Sequence, residues 1–143
     1  PLKFKRPFHY LVSAIRSSRA VVTNTTNMIA QLNALGQPLY MWETPDGFPD
    51  LFEYWSGNLM PRWQFASTVS NLRTGQIIID SAPYLAGTSD AAIDLINTTF
   101  FGGEMDLGTR TALLAYIKGG AFNDTRVRET ISLAIASESF QWY

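Results

Sequence analysis

Residues 88–138 read TSDAAIDLINTTFFGGEMDLGTRTALLAYIKGGAFNDTRVRETISLAIASE, and this stretch decides the fold. Its apolar residues recur at the spacing of amphipathic helices, in runs separated by Gly102-Gly103 and Gly119-Gly120. Because glycine ends helices and short connections place consecutive helices antiparallel, the pattern predicts a three-helix packing unit. The predicted helices span Ser89–Phe101, Asp106–Lys118 and Asp124–Glu138.

The same spacing predicts further helices upstream of this unit. They span Pro7–Ser17, Asn24–Leu35, Pro61–Arg73 and a shorter segment, Pro49–Trp55. Gly36 and Gly75 are the expected stops of the second and of the Trp63-containing helix. We therefore expect the N-terminal helices to lie against the C-terminal unit.

The segment Gln76–Asp80 contains three consecutive isoleucines, which is a pattern typical of a short strand. A lone strand has nothing to pair with, so we interpret the segment as helical or irregular. The sequence therefore predicts an all-α fold in a single helical domain over residues 1–143, a compact bundle of about six to seven helices. An aromatic, Pro/Gly-rich loop connects the second helix to the Trp63 helix.

The composition excludes several classes of partner and chemistry. The net charge is −1, and the basic residues are scattered except for Lys3, Lys5 and Arg6, which argues against nucleic acid as a partner. The chain has no cysteine, so disulfides and thiolate chemistry are excluded. No apolar run approaches the roughly 20 residues that cross a bilayer, so we expect no transmembrane segment. We also expect no metal site and no cofactor.

Residues 35–66, LGQPLYMWETPDGFPDLFEYWSGNLMPRWQFA, form the other informative stretch, with three of the four tryptophans. Ordering such a segment costs much conformational entropy, so it either packs as a buried joint or presents a binding surface. As a binding surface, its aromatic rings can stack on sugar rings or on a partner's side chains. Its carboxylates can serve in acid–base chemistry, and Arg62 can supply a guanidinium. The candidate binding residues are Tyr40, Trp42, Asp46, Asp50, Glu53, Trp55 and Arg62.

Structural explanations compete with each of these candidates. The aromatic rings can be core fillers, and Asp46-Gly47 can be a simple turn. Asp50 can lie in the first turn of a helix that begins near Pro49, on the same face as Glu53. Arg62, like Arg73, can pair with nearby acids.

The sequence contains little of the usual catalytic material. His9 is the only histidine, and we interpret it as a capping or partly buried residue near the start of a helix. No nucleophile elbow, P-loop or dinucleotide-binding motif is present. The catalytic residues, if the chain has any, are therefore not identified by the sequence.

Four motifs, taken in order, resemble the C-terminal part of a large bacterial family, domain of unknown function 1800. They read KFKRPFHYLVSAIRS (3–17), LGQPLYMWETPDGFP (35–49), YWSGNLMPRWQFA (54–66) and RVRETISLAIASESFQWY (126–143). Each motif is weak alone, but their order and spacing together are fairly specific. The resemblance supplies no catalytic residues.

The resemblance implies a largely helical exported protein of several hundred residues, with this chain as its C-terminal portion. It implies a periplasmic, cell-surface or extracellular location, and a joint role with a second exported family. The expected partners are therefore another exported surface protein or the N-terminal part of the same protein.

Two functions remain open at this point. The first is a non-catalytic helical structural or binding module of an exported bacterial protein. The second is the C-terminal part of an extracellular hydrolase acting on polymer or carbohydrate, with an acidic and aromatic site around residues 40–55. An exposed aromatic patch favours the first function, whereas paired carboxylates in a pocket favour the second.

Overall fold

The computed structural model describes residues 2–70 and 77–143, and these are predominantly helical. The α-helices are α1 Pro7–Ser17, α2 Thr25–Ala34, α3 Phe52–Trp55, α4 Leu59–Ser70, α5 Ala82–Leu85, α6 Ser89–Phe101, α7 Leu107–Lys118 and α8 Asp124–Ala136. The strands are β1 Val21–Val22 and β2 Ile77–Ile78, and a 3-10 helix spans Ser139–Gln141. The predicted all-α fold is confirmed.

The C-terminal three-helix unit forms as predicted because each helix has a side-chain cap. Thr88, Asp106 and Asn123 accept hydrogen bonds from the first-turn N–H groups of α6, α7 and α8. α6 ends at Gly102, which adopts the left-handed conformation with φ +61°. α8 stops at Ala136, short of the predicted Glu138, because the backbone turns extended at the next residue.

The N-terminal helices differ from expectation mainly at their ends. α1 has the predicted span, and α2 has Asn24 as its N-cap, which accepts from the N–H of Asn27. α3 is shorter than predicted and begins at Phe52, so Asp50 precedes the helix instead of lying in its first turn. The predicted end of the Trp63 helix at Arg73, and the stop at Gly75, lie outside the described residues.

The interpretation of Gln76–Asp80 as helical or irregular is wrong at Ile77 and Ile78, whereas Ile79 and Asp80 are irregular. Ile77 and Ile78 form β2, which pairs antiparallel with β1 in the register Val21↔Ile78 and Val22↔Ile77. The partner strand, β1, is distant in sequence, and its two residues are too few to give a pattern that predicts a strand. The two-residue strands are therefore stabilised by tertiary placement, since isolated strand pairs of this size are not stable.

The core lies around α8, which packs against α4, α6 and α7. The buried residues of α8 are Val127, Thr130, Ile131, Ala134 and Ile135. α4 contributes Phe65, Ala66 and Val69, and α6 contributes Ala92, Ile93, Ile96 and Phe100. The side chain of Ser132 donates to the carbonyl of Ala66 at 2.7 Å, which ties α8 to α4.

The two ends of the described chain pair with each other. The N–H of Lys3 donates to the carbonyl of Tyr143 at 2.9 Å, and the N–H of Tyr143 donates back to Lys3 at 3.0 Å. The N–H of Lys5 donates to the carbonyl of Gln141 at 2.7 Å. This pairing places residues 3–5 beside α4 and beside the 3-10 helix. Across residues 2–70 and 77–143, we find no helix with the length and apolarity that a bilayer crossing requires.

Candidate functional site

The aromatic segment between α2 and α4 is organised by contacts among its own rings. The Trp42 ring lies 4.8 Å from Phe48 and 5.9 Å from Tyr54, measured between centroids. Trp55 is only 2% exposed, lies 4.6 Å from Tyr54, and donates its indole N–H to the carbonyl of Pro49 at 2.8 Å. Trp42 is half-buried. The segment is therefore partly a packed joint, and Trp55 fills space in the core, as the alternative structural explanation predicts.

Other apolar side chains of this segment face solvent. Tyr40 is 99% exposed and has a left-handed backbone with φ +59°, and Trp63 on α4 is 49% exposed. We define the exposed apolar segment as residues 39–63. Its exposed large apolar side chains are Leu39, Tyr40, Met41, Leu51, Phe52, Tyr54, Leu59, Met60 and Trp63. The rings of Tyr40, Tyr54 and Trp63 are therefore accessible to solvent, whereas Trp55 is buried.

The three candidate carboxylates of the segment do not form a group placed to bind a metal ion. Asp46 is exposed and accepts a hydrogen bond from the Thr44 hydroxyl, which lowers the pKa of Asp46 below its usual value. Asp50 pairs with Lys3, whose hydrogen bond lowers the pKa of Asp50, and also lies 3.6 Å from Arg6 Nε. Glu53 is exposed on α3. The Asp46-Gly47 turn is confirmed, with Gly47 at φ +74°.

Arg62 is fully buried on α4 and does not face solvent. Its Nη1 donates to Gln141 Oε1 at 2.8 Å, and its Nη2 donates to the carbonyl of Lys5 at 2.6 Å. The guanidinium lies 4.4 Å from the centroid of Phe4 and 5.0 Å from that of Tyr10. Burial lowers the pKa of Arg62 to about 10, so it remains charged at neutral pH.

The expected ion pair of Arg62 is therefore wrong. Within residues 2–70 and 77–143, no carboxylate lies within salt-bridge distance of this guanidinium. Neutral oxygens and aromatic faces replace the acid, because the segments that surround Arg62 present backbone carbonyls and rings. Sequence proximity to acids is a poor guide to the partner of a residue that enters the core.

Lys5 is a second buried cation, which the sequence analysis placed only in an N-terminal basic cluster. It is 6% exposed, and its Nζ donates to the carbonyl of Phe140 at 2.7 Å. The same ammonium lies 3.7 Å from the centroid of the Phe140 ring. Burial, followed by repulsion from Arg62, lowers the pKa of Lys5 to about 8. No local pattern identifies it, since its burial depends on the C-terminal residues.

These contacts join three of the four motifs that carry the family resemblance. The Tyr10 hydroxyl lies 3.1 Å from the carbonyl oxygens of both Arg62 and Ile135. Burial raises the pKa of Tyr10, so the phenol remains protonated and can donate to either carbonyl. The Gln141 amide nitrogen completes the joint by donating to Ile135 at 3.3 Å. The motif residues Lys5, Arg62 and Gln141 are thus explained by packing.

A cavity in the described part of the chain lies elsewhere, beside the paired chain ends. It has a volume of about 810 Å³ and is lined by residues from the chain start, the end of α6, the start of α7 and the C-terminus. Its lining includes Lys5, Phe101, Glu104, Asp106, Glu138 and Trp142. None of the candidate residues in segment 40–55 lines it, and sequence reasoning missed its acids because they are far apart along the chain.

Few residues could serve as metal ligands or as a catalytic histidine. The described residues hold no group of three or more His, Asp or Glu side chains placed to bind a metal ion. His9 is half-buried on α1, and burial lowers its pKa. Its Nδ1 lies 3.4 Å from the hydroxyl of Tyr143, which agrees with the partly buried role expected for it.

A comparison with family models matches residues 1–142 to the family described as protein of unknown function, DUF1800. No curated protein and no solved structure matches the chain.

Proposed function

The chain belongs to the DUF1800 family, and from this premise we propose that it is a non-catalytic helical binding module of an exported bacterial protein. The proposed partner is a polypeptide, either a second exported surface protein or the N-terminal part of the same protein. Export and a cell-surface location are proposed from the family resemblance alone. The role in binding has separate support from the exposed apolar segment.

The observation that carries the proposal is the exposure of large apolar side chains in one stretch of chain. Tyr40 is 99% exposed, Met41 is 71% exposed and Met60 is 60% exposed. Single exposed apolar residues are ordinary, but their concentration in one segment is typical of an interaction surface. Tyr, Trp and Met are also residue types that are enriched at protein interfaces.

The charges of the segment indicate the chemistry of the partner. Its acidic residues are Glu43, Asp46, Asp50 and Glu53, and its one basic residue, Arg62, is buried. Asp50 is paired with Lys3, so the negative charge of the segment comes from the other three acids. An apolar patch with an acidic rim favours a partner whose apolar patch has a basic rim, because complementary rims steer the two surfaces together. We therefore propose a protein partner with exposed Lys or Arg around an apolar centre.

We do not extend the proposal to hydrolysis at residues 40–55. Hydrolysis by paired carboxylates needs two acids that face a common bound substrate. Asp46 is exposed to solvent and Asp50 is neutralised by Lys3, and neither lines the cavity described above. A surface that binds without chemistry requires no such pair.

Site-specific photocrosslinking tests the proposal in the cells that produce the protein. A photoreactive phenylalanine analogue replaces Tyr40 in one variant and Met60 in another. The control variant carries it at Ile29, which is 48% exposed on α2 and outside the segment. We expect the same polypeptide to be crosslinked from positions 40 and 60, and not from position 29.

The crosslinked polypeptide is then purified and its affinity for the chain is measured directly. We expect Trp63→Ser to weaken binding by about tenfold, because half-exposed aromatics in an interface contribute strongly. We also expect binding to weaken with added salt, since the rims are charged. Equal crosslinking from position 29, or an affinity that Trp63→Ser leaves unchanged, would contradict the proposed surface.

A further inference from the structure

The cavity of about 810 Å³ beside the chain ends has the size and wall chemistry of a small-ligand site. Ligand sites have volumes of roughly 300–1,000 Å³ and combine apolar walls with a few convergent polar groups. The wall here is assembled from four separate parts of the chain, so it exists only in the folded protein. None of its lining residues belongs to the exposed apolar segment on which the proposed function depends, although Trp142 in its wall contacts Phe52 of that segment.

The apolar part of the wall is aromatic and held in place. Trp142 is stacked on Phe52 with ring centroids 5.3 Å apart and an angle of 21° between planes, and it forms a T-shaped contact with Phe4 at a centroid distance of 5.1 Å. Phe101 is packed against Phe140 at 6.0 Å. Rings whose orientation is fixed before binding cost little entropy when a ligand stacks on them. Flat C–H faces of a sugar ring are one ligand surface that suits such rings.

The polar part of the wall is rich in hydrogen-bond acceptors. Glu104 and Glu138 are exposed carboxylates, and Asp106 accepts from Thr109, which lowers the pKa of Asp106 and keeps it ionised. Carboxylates accept strong hydrogen bonds from hydroxyl groups. The lining contains these three acids and one cation, Lys5, whose ammonium already donates to the carbonyl of Phe140. The wall is therefore net negative, which disfavours an anionic ligand.

We propose that this cavity binds a neutral sugar ring of a glycan. Aromatic faces receive the apolar side of the ring, and the carboxylates of Glu104 and Glu138 accept hydrogen bonds from its hydroxyls. The net negative wall discriminates against acidic sugars. The acidic and aromatic combination that the sequence analysis located at residues 40–55 is thus assembled in space from residues outside that segment.

Titration of cellotriose, followed by the indole N–H signals of the four tryptophans in a two-dimensional NMR spectrum, tests the proposal. Cellotriose is a suitable probe because all its hydroxyls are equatorial except the anomeric hydroxyl of the α-anomer, which leaves the ring faces apolar. We expect a saturable shift of the Trp142 signal, with the Trp63 signal unchanged. Trigalacturonate, an acidic trisaccharide of similar size, is expected to bind at least about tenfold more weakly.

Two charge-matched variants locate the site. Glu138→Gln removes a wall carboxylate and is expected to weaken cellotriose binding by about tenfold, because an amide is a weaker acceptor than a carboxylate. Glu43→Gln, at an exposed position outside the cavity, is the control and is expected to leave binding unchanged. Both side chains are exposed, so both variants should fold, and dispersed spectra confirm this.

Three outcomes would overturn the proposal. The first is the absence of a saturable shift up to about 10 mM cellotriose, because the dissociation constant would then lie above that concentration. The second is equal weakening by Glu138→Gln and Glu43→Gln. The third is a shift of Trp63 without Trp142, or binding of trigalacturonate as tight as that of cellotriose.

Discussion

Replacement of Arg62 by lysine isolates the contribution of the planar guanidinium to the buried joint. The variant keeps the positive charge, so the cost of burying a cation is similar in both proteins. Arg62 bridges two acceptors on separate segments, Gln141 Oε1 at 2.8 Å and the Lys5 carbonyl at 2.6 Å. A lysine carries one nitrogen and cannot reproduce the guanidinium fork that spans both.

The expected loss follows from these contacts. One hydrogen bond to a charged group contributes about 1.5–3 kcal/mol, and the acceptor left behind is buried. An ammonium is also more strongly hydrated than a guanidinium, so its burial between the rings of Phe4 and Tyr10 is less favourable. We expect Arg62→Lys to lower the free energy of unfolding by about 2–3 kcal/mol.

Urea denaturation followed by far-ultraviolet circular dichroism measures this loss. The matched control is Arg16→Lys at the exposed end of α1, for which we expect a change below about 0.5 kcal/mol. Amide hydrogen exchange adds a local readout, because the Lys5 N–H that donates to Gln141 should exchange faster in Arg62→Lys. A stability within about 0.5 kcal/mol of the parent, with unchanged exchange at Lys5, would refute the reasoning.

Three further predictions concern stability. Lys5 has a folded pKa of about 8 against an ordinary 10.5, so the unfolded chain binds more protons between these values. The free energy of unfolding should therefore rise by about 1.5 kcal/mol from pH 8 to 9.5, and Lys5→Met should abolish that rise in urea denaturation midpoints. Gly36→Ala should lower the free energy of unfolding, measured by urea denaturation, by about 1–2 kcal/mol, because φ is +85° and a Cβ would lie 2.7 Å from Asn58 Nδ2. The control Gly57→Ala places its Cβ near no other atom and should be tolerated. Asn123→Ala should lower the free energy of unfolding by about 1 kcal/mol, because α8 loses its N-cap. An unchanged melting temperature would contradict this prediction.

The candidate site shows where sequence reasoning succeeds and where it stops. The Asp46-Gly47 turn follows from local chemistry, since glycine adopts φ +74° at little cost, and it is confirmed. The burial of Trp55 and Arg62 cannot be predicted from local sequence, because it depends on which distant segment packs against them. Both enter the interior, whereas Tyr40 from the same stretch is almost fully exposed. The binding roles of these candidates stay predictions.

The amino-acid sequence by itself determined the longer helices and their order, but it did not predict the short helix α5. Apolar spacing and glycine stops are local signals, and the caps Thr88, Asp106 and Asn123 act within one turn. The sequence motifs also identified the family, because their order along the chain is a linear property.

Only the tertiary structure decided the strand pair, the buried cations and the cavity. β1 and β2 pair across a long stretch of chain, and Lys5 is buried against Phe140 and Gln141. The acids Glu104 and Glu138 line one cavity although they lie on different elements. The physical reason is the same in each case: these features depend on contacts between distant segments, and local propensity carries no information about which distant segments will meet.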